Sequence, residues 1–170
     1  PQQTQIDKSF PITVSELVAM GLWKEIGFLN SLGKSHYRHC EKAIAAVGLQ
    51  GFEHRMIGTL SGGQLQRALF ARVMLQDQPL ILLDEPFNAI DAKTLSDLTA
   101  VIKQWHADNR TVVTVTHDLD YVREHCPRTL LLARECISHG ATEDVLTEDN
   151  MNRAKSLSEA FDESAHWCLD

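Results

Sequence analysis

Two short stretches carry residue types and spacings suited to phosphate chemistry. In Leu60-Ser61-Gly62-Gly63-Gln64-Leu65-Gln66-Arg67, a pair of glycines precedes a run with helical spacing. Glycine lets the backbone come close to an anion, and the amides of Ser61, Gly62 and Gly63 then lie at a helix start, where N–H groups and the helix dipole favour phosphate. Leu80-Ile81-Leu82-Leu83 is a run of bulky apolar residues without alternation, followed by Asp84-Glu85. Such a run suits a strand buried on both faces, with the two carboxylates where it leaves the sheet. Open α/β sheets take their ligands at that end of the strands. A plainer reading of the carboxylate pair is that both cap a surface loop.

The elements that position these stretches follow from local patterns. Thr13-x-x-Glu16 is a capping box, and the helix it opens is expected from Val14 to Met20, stopping at Gly21 in the left-handed C′ conformation. Gly33-Lys34-Ser35 imitates the end of a phosphate loop, G-x-x-x-x-G-K-[ST]. The register fails, because the first glycine would have to be Phe28, while Gly27 comes one residue early and no buried strand precedes it. Ser35 therefore reads as a helix start, with Tyr37, Cys40, Ile44 and Val47 on one face, His36 and His39 on the solvated side and Gly48 at the end. Residues 49–59 read as a polar connection. Leu65, Ala68, Leu69, Val73 and Leu75 then give a helix an apolar face, leaving Arg67 and Arg72 for acidic or phosphate neighbours before Asp77 to Pro79 break it.

Beyond the carboxylates, Asn88 to Asp91 can cap a helix whose face is Leu95, Leu98, Ile102 and Trp105. Thr111 to Thr116 reads as a second parallel strand with His117 at its end, and Leu119, Val122 and Cys126 mark a short helix. Thr129 to Ala133 and Glu135 to Ser138 read as two tightly joined strands, the second closed by Gly140. An acidic helical tail starts at Glu148. Its end mixes His166, Trp167 and Cys168 with Asp162, Glu163 and Asp170, donors a soft metal could use, but the spacing matches no known site and a solvated or partner-contacting tail is the preferred reading. The strand and helix rhythm argues an α/β fold.

A chain of 170 residues with 44% apolar content can bury the core of one domain and reads as globular and soluble. No run approaches the 18 or more apolar residues of a membrane span, so a membrane role is expected to be peripheral. The net charge of −7 argues against general nucleic-acid binding. Cys40, Cys126, Cys136 and Cys168 show no paired spacing, which fits a reducing cytosol.

Taken in order, these motifs resemble those of the ABC ATPases. Leu60 to Gln64 resembles the family's signature motif, and Leu80 to Glu85 its Walker B strand with the catalytic glutamate. Asn88-Ala89-Ile90-Asp91 resembles the D-loop, Thr116-His117-Asp118 the switch histidine, and Pro1-Gln2 the end of the Q-loop. The stretch from Phe10 to Gly21, Phe-Pro-Ile-Thr-Val-x-Glu-x-Val-x-x-Gly, is similar to the same region of manganese and zinc importers.

The resemblance implies an α/β fold, the C-terminal part of a P-loop NTPase (RecA-like) core with an α-helical signature subdomain. The expected division is 1–75 for the Q-loop end and helical subdomain, 76–148 for the second half of the core, and 149–170 for the tail. ATP and Mg2+ are the implied cofactors. Asp84 would hold Mg2+ directly or through water, and Gln2 would line the Mg2+ and the attacking water, although a frayed polar terminus is the plain alternative for Gln2. Glu85 would act as general base on that water. His117 would reach the γ-phosphate, and Asp91 would contact a partner subunit as well as capping its helix; a polar strand cap is the plain alternative for His117. Ser61, Gly62, Gly63 and Gln64 of one subunit would bind the ATP held by the phosphate loop of another, in a head-to-tail homodimer.

Further partners implied are an integral membrane permease and, indirectly, a substrate-binding protein, with no nucleic acid. The expected location is the cytoplasmic face of the inner membrane, and the expected task is ATP-driven import of zinc or manganese. No G-x-x-x-x-G-K-[ST] occurs in these 170 residues. The expectation is that it precedes Pro1, and that these residues alone bind ATP weakly or not at all. Two other readings are a non-transport ABC ATPase and a non-catalytic dimerisation or regulatory module.

Overall fold

The computed structural model describes residues 10–27, 31–88 and 90–159. Thr13 starts the first helix as its sequence requires: its Oγ1 accepts from the Glu16 amide at 3.2 Å, and the Glu16 carboxylate accepts from the Thr13 amide at 2.7 Å. Helix α1 (Val14–Ala19) is shorter than expected and tightens into a 3-10 turn, Met20–Leu22, before the short α2 (Trp23–Ile26). Gly21 lies inside that turn, and its φ is not positive. Its glycine serves close approach instead, since a Cβ there would lie 2.3 Å from the Arg72 carbonyl oxygen of the next long helix but one.

Helix α3 (Lys34–Ala46) buries Cys40, Ala43 and Ile44, with Val47 following, and Gly48 ends it at φ 73°. Tyr37, expected on the same face, is 51% exposed. His36 is occupied locally: Nδ1 accepts from the Gly33 amide at 3.0 Å, and Nε2 lies 3.5 Å from the Glu25 carboxylate. The connection over 49–59 is less polar in role than its sequence suggested. It buries Leu49 and Ile57 and lies along the start of α1, with Val14 donating to Arg55 and Ser15 to Glu53.

Helix α4 (Gly62–Gln76) forms the centre of the helical layer, packed on by α1, α3 and the 3-10 turn. Leu65, Ala68, Leu69, Phe70 and Ala71 are buried, while Val73 and Leu75 are half-buried. It ends at Asp77 in the left-handed conformation, φ 45°. Strand β1 (Leu80–Asp84) pairs in parallel with β2 (Thr111–Val115), Leu80 opposite Thr111 and Asp84 opposite Val115. Between them runs α5 (Ala92–Ala107), whose Trp105 stacks on Phe70 with ring centres 5.6 Å apart.

Here the burial of β1 differs from expectation. Ile81 and Leu83 join the core, but Leu80 and Leu82 are 51% and 70% exposed. Alternate side chains of a strand point to opposite faces, and the core of Leu98, Trp105 and their neighbours lies on one of them.

The chain divides into two compact units at Thr116/His117. In the second, α6 (Leu119–His125) precedes an antiparallel hairpin of β3 (Arg128–Ala133) and β4 (Glu135–Ala141), turned tightly at Arg134 with φ 53°. Strand β4 runs past the expected end at Ser138, so Gly140 lies within it, opposite Thr129. Helices α7 (Thr142–Val145) and α8 (Glu148–Glu159) pack on the hairpin. Among the described residues, no helix is long and apolar enough to cross a membrane.

Gly21→Ala tests the close packing of the 3-10 turn after α1 on α4. Relief of unfolded-chain entropy alone would make alanine stabilising, whereas steric conflict with Arg72 is expected to cost about 1–3 kcal/mol. A lower urea midpoint with unchanged slope is the expected result; a raised midpoint would show that the helices have room there.

Candidate functional site at the start of the central helix

Ser61 is the N-cap of α4. Its Oγ accepts from the Gln64 amide at 3.2 Å while the Gln64 Oε1 accepts from the Ser61 amide at 3.0 Å, so both side chains secure the first turn. Gly62 and Gly63 form that turn. A Cβ on Gly63 would lie 3.2 Å from the Thr94 hydroxyl, tighter than side chains normally pack, and in ordinary contact, 3.5 Å, with the Asp91 carboxylate. The second glycine therefore lets the start of α4 lie against the start of α5.

Asp91 caps α5 with both oxygens. Oδ1 accepts from the Thr94 amide at 2.9 Å and Oδ2 from the Thr94 hydroxyl at 2.8 Å. The Thr94 amide first, and then its hydroxyl, hold the Asp91 carboxyl below its usual range, so it remains an anion at neutral pH. Ser61, Gly63, Gln64, Asp91, Thr94 and Arg67 border a hollow of about 350 Å³. Arg67, expected to await an acidic or phosphate neighbour, has one within the chain: its guanidinium pairs with Asp97 at 2.7 Å.

The carboxylate pair is held from two sides. Asp84 is the last, exposed residue of β1. Glu85 has φ 44°, a left-handed conformation that costs a non-glycine residue about 1 kcal/mol or more, and strain of this kind tends to collect at functional sites. Its amide donates to the Val115 carbonyl at 2.9 Å, extending the β1–β2 ladder past Asp84, and its carbonyl accepts from Asn88 at 3.3 Å in a turn. The next residue, Pro86, is buried, and its carbonyl accepts from the Gln66 side chain at 2.7 Å. Gln66 is 7% exposed and lies on α4. One buried amide thus joins the glycine-led helix to the loop carrying the carboxylates.

Gln66, Thr94 and Asp97 were missed as contributors in the sequence. Gln66 had a weak signal, as a polar residue next to Leu65 on the helix that carries Leu65, Ala68 and Leu69; Thr94 had none beyond its place three residues after Asp91, and Asp97 had none. His117 lies at the start of the second unit, just before Asp118, whose carboxylate accepts from the Tyr121 amide at 3.0 Å to cap α6. Gln2, Ala89, His166 and Cys168 lie outside the described residues.

The Asp91 cap has a pH signature. A carboxyl whose pKa is lowered by folding contributes stability that is present above its unfolded value, here the ordinary 3.8, and is lost as pH falls through the lower folded value. Asp91→Ala is expected to be less stable than the parent chain at pH 7, with the difference shrinking below about pH 4. Thermal unfolding of both across pH 2–7 checks this, and a pH-independent difference would remove the charge from the account.

The chain is similar to known proteins in both sequence and fold. The family model described as ABC transporter matches residues 2–88. Among curated relatives, the zinc transport system ATP-binding protein TroB of Treponema pallidum is 38% identical over 91% of this chain and 58% of its own length. The manganese transport system ATP-binding protein MntB of Listeria monocytogenes is 34% identical over 91% of this chain and 64% of its own. Among solved structures, an inward-facing metal-chelate type ABC transporter matches with TM-score 0.82 and 29% identity over 89% of this chain and 61% of that one. A dimeric bacterial ABC transporter cassette matches with TM-score 0.71 and 28% identity over 84% of this chain and 61% of that one. The chain thus spans about three fifths of the length of each of these proteins. With the matched segment running from residue 2 through the glycine pair and the carboxylates to Asn88, and with the fold of an ABC ATPase cassette around them, the chain belongs to the ABC transporter family.

Proposed function

We propose that the chain belongs to an ATP-hydrolysing subunit that drives import of a metal ion, zinc or manganese, through a membrane permease. The observation that carries the ATPase reading is the buried bond from Gln66 to the Pro86 carbonyl, which joins the anion-suited start of α4 to the loop holding Asp84 and Glu85. Phosphoryl transfer needs charge neutralisation and a positioned water more than covalent chemistry, and these residue types supply both. The cargo reading draws on the relatives named for zinc and manganese transport.

In this reading Ser61, Gly62, Gly63 and Gln64 present a helix start to the terminal phosphate of ATP held by a second subunit, and Asp91 contacts that subunit. Glu85 takes a proton from the attacking water, which contributes about 10² to 10⁴-fold in rate. His117 holds the γ-phosphate. Asp84 and Gln2 would hold Mg2+. The donor set suits it: Asp84 is an exposed carboxylate at the end of β1, and Mg2+ is typically bound by one or two carboxylates together with phosphate oxygens. Bound there, the ion would neutralise charge on the phosphates. The working form is a head-to-tail homodimer at the cytoplasmic face of the inner membrane, on the permease, with a substrate-binding protein acting indirectly. Residues 1–75, 76–148 and 149–170 serve as helical subdomain, core and tail.

Glu85→Gln in the full-length subunit is expected to keep ATP binding, abolish turnover and accumulate an ATP-bound dimer on gel filtration. Ordinary turnover would remove Glu85 from its role. Ser61→Arg is expected to block hydrolysis while the protein stays folded, since the lost cap costs about 1 kcal/mol. For the cargo, loss of radiolabelled zinc or manganese uptake in cells carrying Glu85→Gln is the supporting result, and unchanged uptake of both metals would overturn it.

A further inference from the structure

We propose that Arg67 is a positioning residue, whose guanidinium holds the starts of α4 and α5 in one frame and so sets the Asp91 carboxylate against the Ser61-Gly62-Gly63 turn. The inference rests on the ATPase reading above and adds a residue to it.

The side chain of Arg67 is 12% exposed and spans three elements. Nη1 donates to the Val47 carbonyl at 2.9 Å, a helix-end group of α3 that lacks an intrahelical partner. Nη2 donates to the Thr94 hydroxyl at 3.2 Å and to the Asp97 carboxylate at 2.7 Å, both on α5. The Thr94 hydroxyl, itself on a residue 4% exposed, in turn donates to the Asp91 carboxylate Oδ2 in a 2.8 Å bond. An unbroken chain of donors thus runs from Arg67 through Thr94 to Asp91. Gly48 makes room for it: its φ of 73° suits glycine, and a Cβ there would come within 3.3 Å of Arg67 Nη1.

A planar fork can serve three acceptors at fixed angles, whereas an ammonium at the end of a flexible stem cannot hold all three in the same geometry. Lysine at this position keeps the charge and loses the frame. Because Arg67 reaches Asp91 through Thr94, its loss should displace Asp91 while leaving the amides of the α4 start in place. The expected signature is a fall in turnover with nucleotide affinity retained.

The test is Mg2+-dependent ATP hydrolysis by the full-length subunit in the variants Arg67→Lys, Arg67→Met, Thr94→Val and Thr94→Ser, with Glu85→Gln as reference. Arg67→Lys and Thr94→Val are each expected to lower kcat by about 10- to 100-fold with KM for ATP changed by less than about three-fold. Thr94→Ser, which keeps the hydroxyl, should stay within about three-fold of the parent. The double variant Arg67→Lys/Thr94→Val should lose no more than the worse single one, because both cut the same chain. Parent-like kcat in Arg67→Lys or in Arg67→Met would overturn the inference. So would losses that multiply in the double variant, or Thr94→Ser and Thr94→Val losing activity and melting temperature alike. A parent protein without Glu85-dependent hydrolysis overturns the ATPase reading and this inference with it; hydrolysis that Arg67→Lys leaves untouched overturns this inference alone.

Discussion

The burial of α4 is the constraint on which the first unit depends. Leu65, Ala68 and Ala71 are fully buried, with α1, α3 and α5 packed about the helix. A helix enclosed in this way needs small residues wherever a neighbour comes close, and Ala68, Ala71 and Gly21 answer that need. Each large apolar side chain taken from water contributes about 1.5–3 kcal/mol, and the Phe70–Trp105 stack adds about 0.5–1.5 kcal/mol beyond its area. Enclosure of this kind leaves the first turn of α4 little freedom to shift, which is what a site built from backbone amides requires.

Polar groups inside that apolar frame carry more weight than those at its surface. Gln66 and Arg67 are consecutive, and each reaches an element distant in sequence: one the Pro86 carbonyl after the carboxylates, the other the Val47 carbonyl and α5. Leaving such buried groups unpartnered would cost about 1–3 kcal/mol each, more for the charged one. The ion pair of Arg153 and Glu135, with side chains 59% and 55% exposed, is screened by water and contributes little. The two side chains that follow Leu65 thus link the phosphate-suited turn to the carboxylate loop and to the Asp91 cap.

The elements were largely legible because local rules set them. The Thr13 and Ser61 caps, the Gly48 helix end and the existence of a strand at Thr111–Val115 all follow from side chains acting on their own backbone or from local propensity. Expectations failed where a distant neighbour decided. Gly21 looked like a helix terminator, but its role is set by Arg72, some fifty residues later. Residues 49–59 looked polar, yet Leu49 and Ile57 are buried because the segment lies along α1. Arg67 looked available, and its partners come from α3 and α5.

The same division holds for the site. By itself the sequence determined the chemistry on offer, two glycines at a helix start and two carboxylates at a strand end, because the conformations those residues need are local and few. Tertiary structure alone decided that Gly63 faces Thr94 and Asp91, that the left-handed Glu85 donates to Val115, and that Gln66 ties α4 to Pro86. These are contacts between residues separated by some twenty to thirty positions. No local propensity encodes them, because each requires two elements to be packed together before its donors and acceptors can meet.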